Sequence, residues 1–135
     1  TMKVFLLDLN YTLVSNSEIV IKPFSEQILN EAYRLDLINV LKEEYVIIVT
    51  ERKDKYKQET LAHLRKKTGW NPRLAYFNDL NLTSPAFKER ILNEHIFSNY
   101  QPESLIAIES NPDTRAMYKR NKIKALTFQE FMESL

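Results

Sequence analysis

Residues of types suited to phosphoryl chemistry recur along the chain: Asp8, Thr50, Lys88 and Glu109, with Asp113 close behind the last. A carboxylate at a strand tip can attack phosphorus and can also bind a metal ion. A threonine hydroxyl can bond a phosphoryl oxygen, and a lysine ammonium group can offset the negative charge around it. Mg²⁺ prefers oxygen ligands, which Asp8 with Glu109 or Asp113 can supply. These residue types indicate Mg²⁺-dependent phosphoryl transfer.

The apolar pattern predicts the strands that position these residues. Short, nearly continuous apolar runs are typical of strands whose two faces are both covered, as in a parallel sheet. The runs are KVFLLD (3–8), YVIIVT (45–50), LAYFN (74–78) and LIAIE (105–109), with a short strand at 124–127. Ligands of such sheets bind beyond the carboxyl ends of the strands. We therefore expect Asp8, Thr50, Asn78 and Glu109 along one edge.

Segments with helical periodicity separate the predicted strands. They cover 25–41, with a break expected at Asp36, then 54–68, 84–97, 113–121 and a terminal helix from Gln129. Ser84-Pro85 and Asn111-Pro112 are typical helix starts, and Gly69 is a typical stop. Strands that alternate with helices predict a doubly wound α/β domain.

The composition is that of one globular domain over residues 1–135 and excludes several kinds of site. The chain is 44% hydrophobic and 27% charged, with a net charge of +1. It has no cysteine, which excludes disulfides, thiolate nucleophiles and Cys-ligated zinc. Its single glycine, Gly69, excludes a glycine-rich phosphate loop. No apolar run reaches the ~18 residues of a membrane span, and the N-terminus reads as a strand and not as a signal peptide. We expect a cytoplasmic protein without a membrane partner.

The order of these motifs resembles the haloacid dehalogenase-like (HAD) superfamily of phosphotransferases. Its motifs are a strand ending in D-x-D-x-[TV], a strand ending in Thr or Ser, a downstream Lys and a strand ending in an acidic pair. They correspond here to FLLDLNYTL, VIIVTER, AFKERIL and LIAIESNPD. Within that superfamily the layout is most similar to the 3′-phosphatase domains of polynucleotide kinase-phosphatases. The resemblance implies a three-layer, Rossmann-like fold with a mostly parallel central sheet and helices on both faces.

The resemblance also implies a role for each matched residue. Asp8 would attack phosphorus and form an aspartyl-phosphate. The carboxylate of Asp8, the backbone carbonyl of Asn10 and the side chain of Glu109 would bind Mg²⁺. Thr50 would bond a phosphoryl oxygen, and Lys88 would stabilise Asp8 and the phosphoryl group.

Two positions depart from the family pattern. Asn10 stands where relatives carry the acid that protonates the leaving group and activates water, and an amide can do neither. General acid–base help worth about 10²–10⁴-fold is then missing. Ser110 follows Glu109 where many relatives have a second acid, and Asp113 could compensate by holding a metal-bound water. Three interpretations fit Asn10: a slow hydrolase, a non-catalytic phosphate- or nucleotide-binding relative, or an engineered substitution.

The spacing leaves no room for the cap domain that many members of the superfamily carry. The stretch between Leu13 and Pro23 can hold a flap, SEIVIK (17–22), but not a domain. An open site favours a large substrate, such as a nucleic-acid end or a phosphoprotein, or a partner subunit that acts as a lid. We assign Thr12 and Arg52 to substrate binding. The basic run that begins at Arg52 could contact a phosphate backbone, although its interspersed acids favour a solvated helix face.

Overall fold

The computed structural model describes residues 2–135 and contains, within that range, one five-stranded sheet covered by helices. The strands are β1 (Val4–Leu7), β2 (Tyr45–Lys53), β3 (Leu74–Asn78), β4 (Leu105–Ile108) and β5 (Lys124–Leu126). The helices are α1 (Phe24–Leu29), α2 (Leu35–Leu41), α3 (Lys57–Thr68), α4 (Ser84–Ile91), α5 (Pro112–Arg120) and α6 (Phe128–Glu133). None of the helices in this range is long and apolar enough to cross a bilayer.

The sheet is entirely parallel, with strand order β3-β2-β1-β4-β5. The central strand, β1, pairs on both sides, so that Leu7 lies opposite Ile48 and Ile108. Every side chain of β1 is buried. A strand covered on both faces needs apolar residues at every position, which explains the continuous apolar runs of the sequence.

Helices cover both faces of the sheet and give the fold three layers. Phe5 and Leu7 of β1 face a core built with α2, α3 and α6. Val4 and Leu6 face a second core built with α4 and α5. Successive side chains of a strand point to opposite faces, so one short strand contributes to both cores. The predicted three-layer α/β fold is confirmed.

The segment predicted as one helix over 25–41 is two helices, α1 and α2. The break covers residues 30–34 and therefore precedes Asp36, where it was expected. Within the break Tyr33 forms an antiparallel bridge with Val14. This pairing holds the segment against the loop that follows β1, and a continuous helix could not make it.

The second strand continues past its predicted end at Thr50. β2 runs to Lys53, and its pairing with β3 changes register between Val49 and Lys53. Thr50 therefore lies within the strand and not at its tip. The helix expected from residue 54 begins at Lys57, after a single 3₁₀ turn.

Other helix ends agree more closely with the sequence. Gly69 ends α3 in a left-handed conformation, with φ of 72°. The side chain of Asn111 caps α5 by accepting hydrogen bonds from the amides of Asp113 and Thr114. The cap of α4 is Thr83 and not Ser84, whose hydroxyl instead lies 2.8 Å from that of Thr114. After α4, the chain continues in a wider turn over Leu92–Ile96.

Candidate active site

A cavity of about 640 Å³ opens at the carboxyl edge of the sheet, beyond β1 and β4. Its size suits a small organic ligand. The lining residues come from the loops after β1 and β4, the edge of β2 and the starts of α4 and α5: Asp8, Asn10, Tyr11, Glu51, Ser84, Glu109, Ser110, Asn111, Pro112 and Asp113.

The loop after β1 exposes the site residues through an irregular turn. Residues Leu9–Leu13 form a wide turn, which Val14 closes by donating its amide to the first carbonyl of the turn at 2.9 Å. Asn10 is extended, with φ of −67° and ψ of 137°, and Tyr11 is left-handed, with φ of 60°. The amide of Asp8 donates to the β4 backbone at 3.0 Å, which keeps Asp8 at the base of the cavity.

Asp8 is buried and its two carboxylate oxygens have different surroundings. Oδ1 accepts a hydrogen bond from Lys88 Nζ at 3.0 Å. Oδ2 accepts from Thr12 Oγ1 at 2.8 Å and from Ser110 Oγ at 2.7 Å. A carboxylate has about four lone-pair sites, so Oδ1 keeps one that no described residue uses. Oδ2 also accepts from the amide of Ser110 at 3.3 Å, so it has three hydrogen-bond donors and Oδ1 has one.

Lys88 lies between two buried carboxylates. Besides Asp8, its Nζ donates to Glu109 Oε1 at 2.7 Å, and its side chain is 1% exposed. Glu109 Oε2 accepts from the amide of Asn111 at 3.1 Å. The helix α4 thus places one ammonium group across the tips of β1 and β4, and the expected association of Asp8, Lys88 and Glu109 is present in the structure.

The charges of this cluster shift the pKa values of its members. Burial tends to raise the pKa of Asp8, but Lys88 and the hydrogen bonds from Ser110 and Thr12 outweigh it and lower that pKa. Burial tends to lower the pKa of Lys88, but the two carboxylates raise it. Burial raises the pKa of Glu109 to about 7 against the attraction of Lys88, and the charge of Asp8 adds to the rise. At neutral pH Asp8 is ionised and Lys88 is protonated.

Asn10 belongs to a second buried network, centred on Arg52. The guanidinium group donates from Nη2 to Asn10 Oδ1 at 2.7 Å, pairs with both carboxylate oxygens of Glu31 and donates to Thr60 Oγ1 at 3.0 Å. The ring of Phe24 lies 4.9 Å from the guanidinium carbon. Because the amide oxygen of Asn10 is taken by Arg52, its NH₂ group is the end that remains for a ligand.

Thr12 and Arg52 both have internal partners, and their assignment to substrate binding stays a prediction. Thr12 is fully buried and donates its hydroxyl to Asp8. Arg52 is 5% exposed and its guanidinium group is held by Glu31 and Asn10. Both side chains have the contacts of positioning residues, since each orients a polar group of the cavity and neither faces solvent.

Thr50 and Asp113 occupy different environments. Thr50 is 1% exposed, and its hydroxyl accepts a hydrogen bond from the amide of Arg52 at 3.0 Å. Its neighbour Glu51 lines the cavity. The role of Thr50 toward a phosphoryl oxygen stays a prediction. Asp113 is exposed in the first turn of α5 and lines the cavity, where it also complements the helix dipole.

The cavity contains oxygen atoms that fit a hard cation. Among residues 2–135 no group of three or more His, Cys, Asp or Glu side chains could hold a metal ion. However, Ser110 Oγ lies 2.7 Å from Asp8 Oδ2 and 3.3 Å from the carbonyl oxygen of Asn10. Adjacent ligands of an octahedral Mg²⁺ lie about 3 Å apart. The two distances from Ser110 Oγ therefore match the spacing of adjacent Mg²⁺ ligands, and one of the three oxygens belongs to a carboxylate.

Sequence reasoning did not assign roles to Tyr11, Glu31 or Arg115. Arg115 Nη1 donates to the carbonyls of Glu109 and Ser110 at 3.0 and 2.8 Å, and so fixes the loop after β4. Glu31 lies in the break between α1 and α2 and not on a helical face, so the helix predicted over 25–41 gave no signal for it. Tyr11 lies within the sequence motif FLLDLNYTL, but nothing in that motif indicates that its backbone is left-handed.

Comparisons with known proteins give a match in fold. No family model matches the chain, and no curated protein matches it. A chain from the structure of the Pnkp1/Rnl/Hen1 RNA repair complex is similar at a TM-score of 0.74 and 16% identity over 93% of this chain. A chain from another structure of the Pnkp1/Rnl/Hen1 complex is similar at 0.73 and 15% identity over 93%. The match covers 42% of the length of the first of those chains and 45% of the length of the second.

Proposed function

We propose that this protein is a Mg²⁺-dependent phosphohydrolase of the HAD type that acts through Asp8 on a phosphorylated nucleic-acid end, such as a 3′-phosphate. The observation that carries the proposal is the buried, ionised carboxylate of Asp8 at the base of a cavity, held by Lys88, Thr12 and Ser110. The resemblance of its motifs to polynucleotide 3′-phosphatases supports a nucleic-acid substrate. The fold shared with chains from an RNA repair complex supports the same class.

The reaction would proceed in two displacements at phosphorus. Asp8 Oδ1 forms a bond to phosphorus while the ester P–O bond breaks, and the leaving alkoxide takes a proton from solvent because Asn10 has none to donate. Water then attacks the aspartyl-phosphate, loses a proton to solvent and releases phosphate, which regenerates the Asp8 carboxylate. Lys88 offsets negative charge during both steps.

A bound Mg²⁺ would be held by the carboxylate of Asp8, the carbonyl of Asn10 and the hydroxyl of Ser110, with Glu109 and Asp113 close to the site. It would neutralise charge on the phosphoryl oxygens. The cavity rim also carries Glu51, so the site needs positive charge beyond Lys88 to accept a phosphate. The open cavity also leaves room for a partner subunit that acts as a lid.

A second candidate function is binding without turnover. The observation that favours it is the fixed amide of Asn10, which Arg52 orients and which cannot transfer a proton. Such a protein would keep the affinity for a phosphorylated end but would release phosphate slowly or not at all.

The experiment that separates these functions measures phosphate release from a 3′-phosphorylated oligonucleotide and from glycerol phosphate, with Mg²⁺ and with chelator. The wild type and Asp8→Asn are compared, since the substitution removes the nucleophilic carboxylate with little change in shape. Mg²⁺-dependent release that Asp8→Asn abolishes would support the hydrolase. Release that survives in Asp8→Asn would refute the assignment of the nucleophile. Binding of the oligonucleotide without release would favour the second function.

A further inference from the structure

Tyr11 is the single Phe, Trp or Tyr residue that is exposed among residues 2–135. It is 59% exposed, whereas the other Phe, Trp and Tyr residues of that range are buried or half-buried. The ring has no stacking or cation–π contact with a described residue. Folding therefore leaves this ring without a partner.

The backbone of Tyr11 is left-handed, with φ of 60° and ψ of 5°. This conformation is unfavourable for a bulky side chain and persists where the surroundings impose it, which is frequent at ligand sites. The amide of Tyr11 donates to the buried hydroxyl of Ser17 at 2.8 Å, which fixes the residue from the side of the flap. The turn thus fixes the backbone from which the exposed aromatic ring projects into solvent.

That position is on the wall of the same cavity as Asp8. The cavity, at about 640 Å³, is much larger than a phosphoryl group, so most of its volume is free for the group to which the phosphate is attached. The polar atoms that suit a phosphate lie at the base, around Asp8 and Lys88. The wall formed by Tyr11 instead offers an apolar face.

We propose that the Tyr11 ring is a stacking platform for the terminal base of a nucleic-acid end whose phosphate lies at Asp8. This inference rests on the proposed function and names the part of the substrate that the site recognises besides phosphate. Every base has a π-face, so a tyrosine platform recognises a nucleotide end without selecting its sequence. A second aromatic partner is not needed, because one exposed ring can cover one base.

The test is equilibrium binding of two 3′-phosphorylated oligonucleotides that differ only in the last residue, which either carries its base or is abasic. Both are measured with Mg²⁺ in an Asp8→Asn background, where the proposed turnover stops. Stacking on an aromatic residue corresponds to about 5- to 160-fold in affinity per base. We expect Tyr11→Ala to weaken binding of the base-bearing probe by that factor. Its effect on binding of the abasic probe should be at least fivefold smaller. Tyr11→Phe should bind both probes about as tightly as the Asp8→Asn parent.

The proposal is overturned if Tyr11→Ala weakens both probes equally, if it weakens neither, or if the parent binds neither probe. Phosphate release from the 3′-phosphorylated oligonucleotide by the protein that retains Asp8, measured in parallel with Mg²⁺, tests the proposed reaction separately. Base-dependent binding without any release would support the platform and refute the hydrolase. Release of phosphate together with binding that does not depend on the base would support the hydrolase and refute the platform.

A folding control excludes a structural role for the ring. Glycine adopts the left-handed conformation freely, so Tyr11→Gly should keep or raise the midpoint of thermal unfolding while it weakens binding of the base-bearing probe as Tyr11→Ala does. Lys122→Gly is the matched control, because Lys122 is exposed with φ of 64° and is not among the residues of this cavity. Lys122→Gly should leave the affinity for both probes unchanged. A fall in the unfolding midpoint of Tyr11→Gly would show that the ring stabilises the fold and would overturn the platform role.

Discussion

Arg52 donates a hydrogen bond of 2.7 Å from Nη2 to the amide oxygen of Asn10. The contact joins β2 to the turn after β1 and sets which end of the amide faces the cavity. The same guanidinium group pairs with Glu31, so the orientation of Asn10 depends on a residue from the break between α1 and α2. The amide of Asn10 is therefore held in one orientation, and it has no titratable proton to transfer.

Asn10→Asp should raise the rate of phosphate release. The new carboxyl group would replace the amide beside Arg52 and could protonate the leaving group and then activate water. General acid–base catalysis contributes about 10²–10⁴-fold, which sets the expected increase in kcat. The measurement is steady-state release from a 3′-phosphorylated oligonucleotide with Mg²⁺. Asn10→Ala is the control and should show no gain, and an unchanged rate in Asn10→Asp would contradict an acid–base role for this position.

Lys88→Met should strongly destabilise the fold. The substitution leaves the buried carboxylates of Asp8 and Glu109 without their shared counterion, and breaking a buried ion pair costs about 3–5 kcal/mol. The free energy of unfolding in urea at pH 7 measures the loss. The double variant with Glu109→Gln removes one of the two carboxylate charges and should recover part of the stability. Equal stability of wild type and Lys88→Met would show that the cluster is not ionised as described.

Glu31→Gln should destabilise the protein and release Asn10 from its fixed orientation. The pair of Arg52 and Glu31 is buried, and the substitution leaves a buried guanidinium charge with weaker partners, at a cost of about 3–5 kcal/mol. Glu94→Gln is the control, because the pair of Arg90 and Glu94 is about half exposed and is worth at most about 1 kcal/mol. Urea unfolding of both variants gives the comparison. Similar losses in the two would contradict a buried charge network at Arg52.

Stability should fall as the pH rises from about 4.5 to about 7. The pKa of Glu109 is raised from 4.5 to about 7, so in this window the folded state binds more protons than the unfolded state. Stability then decreases with increasing pH, by an amount on the order of 3 kcal/mol if this group acts alone. The lowered pKa of Asp8 makes stability depend on pH only below the ordinary value of 3.8, so it does not oppose this trend.

Urea unfolding with chelator at several pH values between 4.5 and 7.5 measures this dependence. Glu109→Gln cannot titrate and should flatten the decrease. Glu103→Gln is a suitable control because Glu103 is exposed, and it should leave the decrease in place. A slope that is the same in wild type and Glu109→Gln would refute the raised pKa of Glu109.

The sequence alone determined the fold class and the edge of the sheet that carries the site. Continuous apolar runs predict strands buried on both faces, and the alternation with helices leaves a parallel sheet as the solution, so Asp8 and Glu109 had to emerge at one edge. Local signals also placed the end of α3 at Gly69 and the cap of α5 at Asn111, since both depend on backbone geometry over a few residues.

The tertiary structure decided the partners of the site residues. Arg52 and Asn10 are 42 positions apart and Ser110 and Asp8 are 102 apart, and no local pattern specifies hydrogen bonds over such separations. For the same reason the sequence did not indicate that Arg52 turns inward to Glu31. The exposure of Tyr11 follows from a left-handed turn whose amide bonds the hydroxyl of Ser17, six positions later, in a loop without regular periodicity. Periodicity dictates which face of an element is buried, whereas side-chain partnership depends on how separate elements pack.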